Sequence, residues 1–224
     1  MKLAFELAWS TPPAWADAAL AEPLALLSDH AHCELGAAAA AQGLLARRPE
    51  DARLVERLSA LAQEELAHFR RVHRLLCSLG GALEPVRKNP YAEGLLALAE
   101  RGPRNLLDRL LVAALIERRS LERFELLARA ATGQAPLAEL ADLYGELAPS
   151  ESGHAHLFVE LARDAYGAGA ARERLAFWVE REAALVSALP FAPRIHSGPP
   201  AAPAVSESDP LESGARAADP ALSR

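Results

Sequence analysis

The chain has 224 residues, 51% apolar but only 5% aromatic, with a formal net charge of −6; this supports one sizeable core and suits helix packing better than a sheet sandwich. Leu35–Ala46, an Ala-rich stretch of 12 residues without a charge, falls well short of a membrane span, and Glu6, Pro12, Pro13 and Asp17 interrupt the apolar start, so neither a membrane protein nor a secretory signal is expected and the cytoplasm is the expected compartment. Cys33 and Cys77 stand alone without a CxxC, which argues against a disulfide framework or a thiolate metal site and leaves both as expected buried thiols.

Helical signals run through the chain: long apolar-periodic segments, few β-branched residues, and Gly or Pro between segments. A short opening segment ends near Pro12 and Pro13. A first long helix starts around Pro23, a residue suited to the first helical position, and runs to about Arg47. A second spans roughly 50–79 and stops at Gly80 and Gly81. The connector EPVRKNP, 84–90, leads to a shorter helix over 91–100. Gly102 and Pro103 restart the chain into a third long helix, 103–131, and TGQAP turns it into a fourth, 136–167; a fifth follows over 170–188. Beyond Leu189 the composition turns to Pro, Ala and Ser without a periodic apolar face. The expected organisation is one helical domain over 1–197 and a disordered tail over 198–224.

Charge is uneven along this plan. Residues 70–123 hold 11 basic against 6 acidic residues, whereas 1–69 and 124–190 each hold 5 against 10. A polyanion would meet a local patch, although a solvated Arg-rich helix face explains the counts equally well.

Two segments carry a Glu and a His three residues apart: Glu65 and His68 in EELAHF, Glu151 and His154 in SESGHAH. The spacing alone is a weak signal, and its position strengthens it. On the second helix Leu54, Leu58, Leu61, Glu65, His68, Val72, Leu75 and Leu79 step by 4 and 3, the seam that a helix buries. The fourth repeats this with Leu140, Tyr144, Leu147, Glu151, His154, Phe158 and Leu161. The third seam contains Glu117 between Leu110 and Leu121, and the first contains Glu34 between Ala31 and Ala38. An ionised carboxylate in a helical core costs several kcal/mol unless it is paired or bound to a cation. Four of them with two imidazoles match the carboxylate-bridged dimetal pattern, one Glu from each of two helices and Glu-x-x-His from each of two others. Oxygen-rich ligation without thiolate suits iron or manganese better than structural zinc. His30 and His32 stay outside the ligand set, with Asp29 and His30 as possible supports behind it. Glu64 and Glu122 lie off the seam and read as solvated, His156 faces elsewhere, and Pro149 with Gly153 predicts a kink or bulge beside the last ligand pair.

The segments LLSDHAHCELGAA, EELAHFRRV, LIERRSLERFELLA and SESGHAHLFVELA resemble those of the bacterial tRNA hydroxylase family that acts on 2-methylthio-N6-isopentenyladenosine beside the anticodon. The resemblance covers about residues 23–198, and DHAHCE and IERRSLERF are more specific than the ExxH spacing. It implies an all-α, ferritin-like four-helix bundle with extra short helices and a non-haem diiron site. It also implies use of O2 and external electrons to hydroxylate the isopentenyl side chain. By the resemblance the iron ligands are Glu34, Glu65, His68, Glu117, Glu151 and His154, the six that the seams reach independently. The implied partners are a tRNA anticodon loop and an external reductase or ferredoxin, with no DNA and no membrane. For tRNA contacts the basic interval offers Arg87, Lys88, Arg118, Arg119 and Arg123. The rival readings are a ferritin-like oxidase or peroxidase that does not act on tRNA, and a helical binding module without catalysis.

Overall fold

The computed structural model describes residues 4–201, and the described residues form seven α-helices and no strand. Helix α1 spans Ala14–Leu20, α2 Pro23–Leu45, α3 Ala52–Ser78, α4 Pro90–Leu98, α5 Asn105–Ala131, α6 Ala138–Tyr166 and α7 Ala168–Ala188. No helix among the described residues is long and apolar enough to cross a membrane. The long helices begin where the sequence predicts: Pro23 opens α2, and the Asp51 carboxylate accepts the Leu54 N–H at 3.0 Å to cap α3. Gly80, at φ 81°, follows the end of α3, and Gly167, at φ 85°, turns α6 into α7; both backbones lie in the left-handed region that favours glycine.

Helices α2 and α3 pack along each other as one hairpin and α5 and α6 as another, and the two hairpins form a four-helix bundle with lighter contacts between them. The all-α, ferritin-like bundle with short additional helices is therefore as the sequence predicts. Helix α1, after the Pro pair, is an element the sequence reading did not identify; its fully buried Trp15 docks it on α5. Helix α6 is continuous through Pro149, where a kink or bulge was expected. Cys77 is exposed, contrary to expectation, because it lies on the outward side of α3, while Cys33 is half-buried. The expected disorder of 198–224 concerns a segment of which 202–224 lie outside the described residues.

The core has two apolar clusters. One gathers Leu44, Leu58, Leu61, Leu110, Phe158 and Leu161; the other gathers Leu27, Val72, Leu121, Phe124, Tyr144 and Leu147. On each long helix, one cluster precedes the seam carboxylate and the other follows it. The carboxylates thus share one polar layer across the middle of the bundle.

Candidate metal centre

Helix α2 brings Glu34 to this layer, α3 brings Glu65 and His68, α5 brings Glu117, and α6 brings Glu151 and His154; all six are buried. Their ligand atoms fall into two groups, each gathered within 4.8 Å: Glu34, Glu65, His68 and Glu151 in one, Glu65, Glu117 and His154 in the other. Glu65 belongs to both, and its two oxygens reach different imidazoles. Oε1 lies 2.9 Å from His154 Nδ1 and Oε2 lies 3.5 Å from His68 Nδ1. His68 Nδ1 is also 3.6 Å from Glu34 Oε2, and His154 Nδ1 is 3.7 Å from Glu117 Oε2. The three-residue helical spacing places each Glu and its His on one face, with both His Nδ1 atoms turned inward.

Crowding four carboxylates here leaves clear electrostatic marks. Burial, then the charges of Glu117, Glu34 and Glu65, push the Glu151 carboxyl well above the usual range, so it holds its proton. Burial and the neighbouring Glu117 raise Glu65 to about 7. Burial would also raise Glu34, but the hydrogen bond from His30 and the neighbouring His68 imidazole outweigh it and hold that carboxylate ionised. Burial alone would discharge the imidazoles, yet the adjoining carboxylates raise His68 to about 9 and His154 to about 11. Protons thus balance part of the excess negative charge.

Several of these atoms lack any hydrogen-bond partner although buried: Glu65 Oε1, His68 Nδ1, and both ring nitrogens of His154. Buried polar atoms are rarely left so. The orphaned Glu65 Oε1, His68 Nδ1 and His154 Nδ1 lie within the two groups, and a pair of divalent cations, with Glu65 a candidate ligand to each, would satisfy them.

Around the six, the structure adds residues that the sequence reading left outside. His30, fully buried, donates from Nε2 to Glu34 Oε1 at 2.6 Å and stacks on Tyr144 with ring centroids 5.4 Å apart. It orients the Glu34 carboxylate, the supporting role that the sequence offers for it behind the candidate ligands. Asp29 stands further out, accepting the Ile195 N–H at 3.0 Å. Glu64, expected to be merely solvated, lies beside both ligand imidazoles, 3.3 Å from His154 Nε2 and 3.9 Å from His68 Nε2. Glu122 is not solvated either: it accepts from Thr11 N at 3.0 Å and Oγ1 at 2.7 Å and pairs with Arg119. His32 donates to the Glu84 carbonyl, and His156 to that of Ser152, so both face away from the centre.

The five basic candidates divide sharply. Arg119 is fully buried, bidentate on the equally buried Glu182 with both contacts at 2.8 Å. Arg123, also fully buried, lies over the Trp15 ring at 3.9 Å and donates to the Ser197 carbonyl at 3.0 Å. Arg118 is buried and donates to the Phe5 carbonyl at 3.2 Å. A phosphate cannot reach guanidinium groups enclosed in this way, so these three are corrected to internal bonds that dock α1, α7 and the segment after Leu189. Arg87 and Lys88 are exposed on the connector between α3 and α4.

The family model and the two sequence relatives name one family. The family model described as tRNA-(MS[2]IO[6]A)-hydroxylase (MiaE) matches residues 2–197. The tRNA 2-(methylsulfanyl)-N(6)-isopentenyladenosine(37) hydroxylase of Pseudomonas putida is 39% identical over 194 residues, covering 86% of this chain and 92% of its own length. The enzyme of the same name from Salmonella typhimurium is 32% identical over 155 residues, 69% of this chain and 55% of that one. Among solved structures, protein 43 with aldehyde deformylating oxygenase activity from Synechococcus superposes with a TM-score of 0.79 at 38% identity, covering 86% of this chain and 96% of that one.

Proposed function

The chain belongs to this tRNA hydroxylase family, and on that premise we propose that it adds one oxygen atom to the isopentenyl group of 2-methylthio-N6-isopentenyladenosine next to the anticodon. The co-substrate is O2, the electrons come from a separate reductase or ferredoxin, and the compartment is the cytoplasm, where tRNA is met. Glu34, Glu65, His68, Glu117, Glu151 and His154 hold two irons, which supply the oxygen-activating redox chemistry that no side chain here offers. The protein supplies placement and dryness. Glu65 ties the two ion positions together, His30 fixes the Glu34 carboxylate, and the apolar layers on either side keep water from the reacting atoms. No side chain need act as general acid or base. A modified base in an anticodon loop is unpaired and can be presented as an extended arm, while exposed Arg87 and Lys88 meet backbone phosphates.

The observation that carries this reading is the set of six buried ligands from four helices, divided into two groups that share Glu65. The experiment is iron counting together with mass analysis of nucleosides from isopentenylated tRNA incubated with protein, reductant and O2. About two irons per chain, as the two-group site requires, and a gain of one oxygen that is lost in Glu117→Ala is the expected result. Two irons without a tRNA product, across several electron donors, would instead favour an oxidase of small substrates. The likeness to the Synechococcus protein, which is named for an aldehyde deformylating oxygenase activity, makes that the second reading.

A further inference from the structure

The two hairpins meet on opposite sides of the centre, and the two seams differ. On the α2–α5 side the segment after Leu189 lies across the bundle. The Ile195 N–H donates to Asp29 at 3.0 Å, His196 Nε2 lies 3.1 Å from Ser120 Oγ, and Trp15 Nε1 donates to Ser197 Oγ at 3.0 Å. That side is closed.

On the α3–α6 side the helices are joined by ion pairs in a regular antiparallel register. Arg53 faces Asp164 at 3.0 Å, Arg57 faces Glu160 at 3.4 Å, and Arg71 faces Glu146. Each step up α3 matches an equal step down α6, and the same register sets Glu64 opposite Gly153. Here the pairing lapses. Among the described residues Glu64 has no Arg or Lys partner, and it is half-exposed. Gly153 is exposed, and a Cβ built on it would meet nothing within 4 Å. Ala60 and Ala67, about one turn to either side of Glu64, add little bulk.

Directly beneath this gap stand the two ligand imidazoles, ring centroids 5.8 Å apart. Their inner nitrogens face Glu65 and their outer nitrogens face Glu64, so two consecutive glutamates of α3 bracket the rings from inside and outside. His154 Nε2 is buried, turned toward Glu64 and without a hydrogen bond. We propose that Glu64, in the gap opposite Gly153, is the inlet carboxylate through which divalent cations reach the buried centre. It captures the ion at the surface and passes it between His68 and His154 to Glu65. A half-exposed carboxylate that has no Arg or Lys partner among the described residues, neighboured by the two imidazoles beneath it, attracts a cation and repels phosphate, which sets this port apart from any surface that receives tRNA.

This inference rests on the dimetal reading above, and its test separates the two. Metal-free protein is mixed with Co2+ in a stopped-flow instrument, the rate of uptake is followed by the visible absorption of the ligated ion, and the final ion count is measured. Glu64→Gln is expected to slow uptake by about tenfold, in the range of electrostatic steering, while the final count stays at the wild-type level. Gly153→Leu, which fills the gap, also slows it. Glu146→Gln, which removes one negative charge from the same seam, leaves uptake within about twofold because its carboxylate is already paired with Arg71. Uptake by Glu64→Gln at the wild-type rate overturns the inlet, and so does a reduced final count, which would make Glu64 a holding residue instead. If wild-type protein takes up no Co2+ or iron, the dimetal reading itself falls.

Discussion

Arg119→Ala tests whether the basic residues flanking Glu117 bind nucleic acid or hold the fold. In the intact protein the Arg119 guanidinium donates twice to Glu182 at 2.8 Å, once to the Trp9 carbonyl at 3.0 Å, and pairs with Glu122. Both Arg119 and Glu182 are fully buried. Truncation leaves the Glu182 carboxylate in the interior with Tyr91 Oη, at 2.8 Å, as its remaining donor. Breaking a buried pair from one side costs about 3–5 kcal/mol. For a domain of this size each kcal/mol moves the melting temperature by about 2–4 °C, so a fall of about 6–20 °C is expected. Circular dichroism melts measure it, with Arg119→Met combined with Glu182→Leu as the control that removes both charges and loses less than the single variant. Arg87→Ala, on the exposed connector, should instead leave the melt unchanged and weaken tRNA binding, with the salt slope reduced by about 1. A melting temperature for Arg119→Ala within about 2 °C of wild type, together with weakened tRNA binding, would refute the assignment of this arginine to the interior.

The shared position of Glu65 predicts unequal effects of ligand removal: Glu65→Ala loses both ions, whereas Glu117→Ala, which belongs to one group, retains about one; iron counting after reconstitution decides, and two ions in Glu65→Ala would count against a bridging role. Because His68 and His154, at about 9 and about 11, are both protonated at neutral pH, metal uptake at pH 7 must release at least their protons, and affinity should rise with pH toward 9. Calorimetry in buffers of different ionisation enthalpy measures the release, and uptake without it would show that the imidazoles do not ligate. Asp108 is fully buried and accepts from Arg174 at 2.6 and 2.9 Å, Trp178 at 3.0 Å and the Glu100 N–H at 2.7 Å. Burial would raise its carboxyl, but these donors prevail and lower it. The stability from a lowered carboxyl is present above the unfolded value, about 3.9, and is lost as pH falls through the folded one. Asp108→Asn should therefore destabilise by about 1.5–3 kcal/mol at pH 7 and by progressively less as the pH falls below about 3.9, read from urea unfolding across that range; a loss that does not change with pH would show that its charge contributes nothing.

What the sequence disclosed about the centre follows from periodicity. Glu34, Glu65, Glu117 and Glu151 each interrupt an otherwise apolar seam, and a seam is legible because burial imposes the 3.6-residue period. Residues whose surroundings come from distant segments were not legible in the same way. Arg119 follows Glu117 by two positions and so points away from the centre, but what it points toward, Glu182 on α7 and Trp9 before α1, depends on how those segments dock. Ile195 and His196 are buried without belonging to any regular element, so no period announced them. Glu64 lies off the α3 seam, a position that predicts a solvated side chain; only the register against α6 shows that its neighbour there is a glycine and its contacts are the two candidate ligand histidines.

The charge of the centre explains how it can be assembled before any metal arrives. Four ionised carboxylates in one buried layer would repel one another, and burial of each would add several kcal/mol to the cost. The protein limits this by retaining protons: Glu151 is held neutral, Glu65 titrates near 7, and the two imidazoles remain cationic. The same interactions that hold the protons, His154 with Glu65 and Glu117, His68 with Glu34 and Glu65, also hold the ligand atoms close to where cations would need them. Loading with metal would then be an exchange of protons for divalent ions within a preformed cage. Such an exchange needs a route for ions, and on the inlet proposed above a half-exposed carboxylate against the outer nitrogens of both imidazoles lies on it.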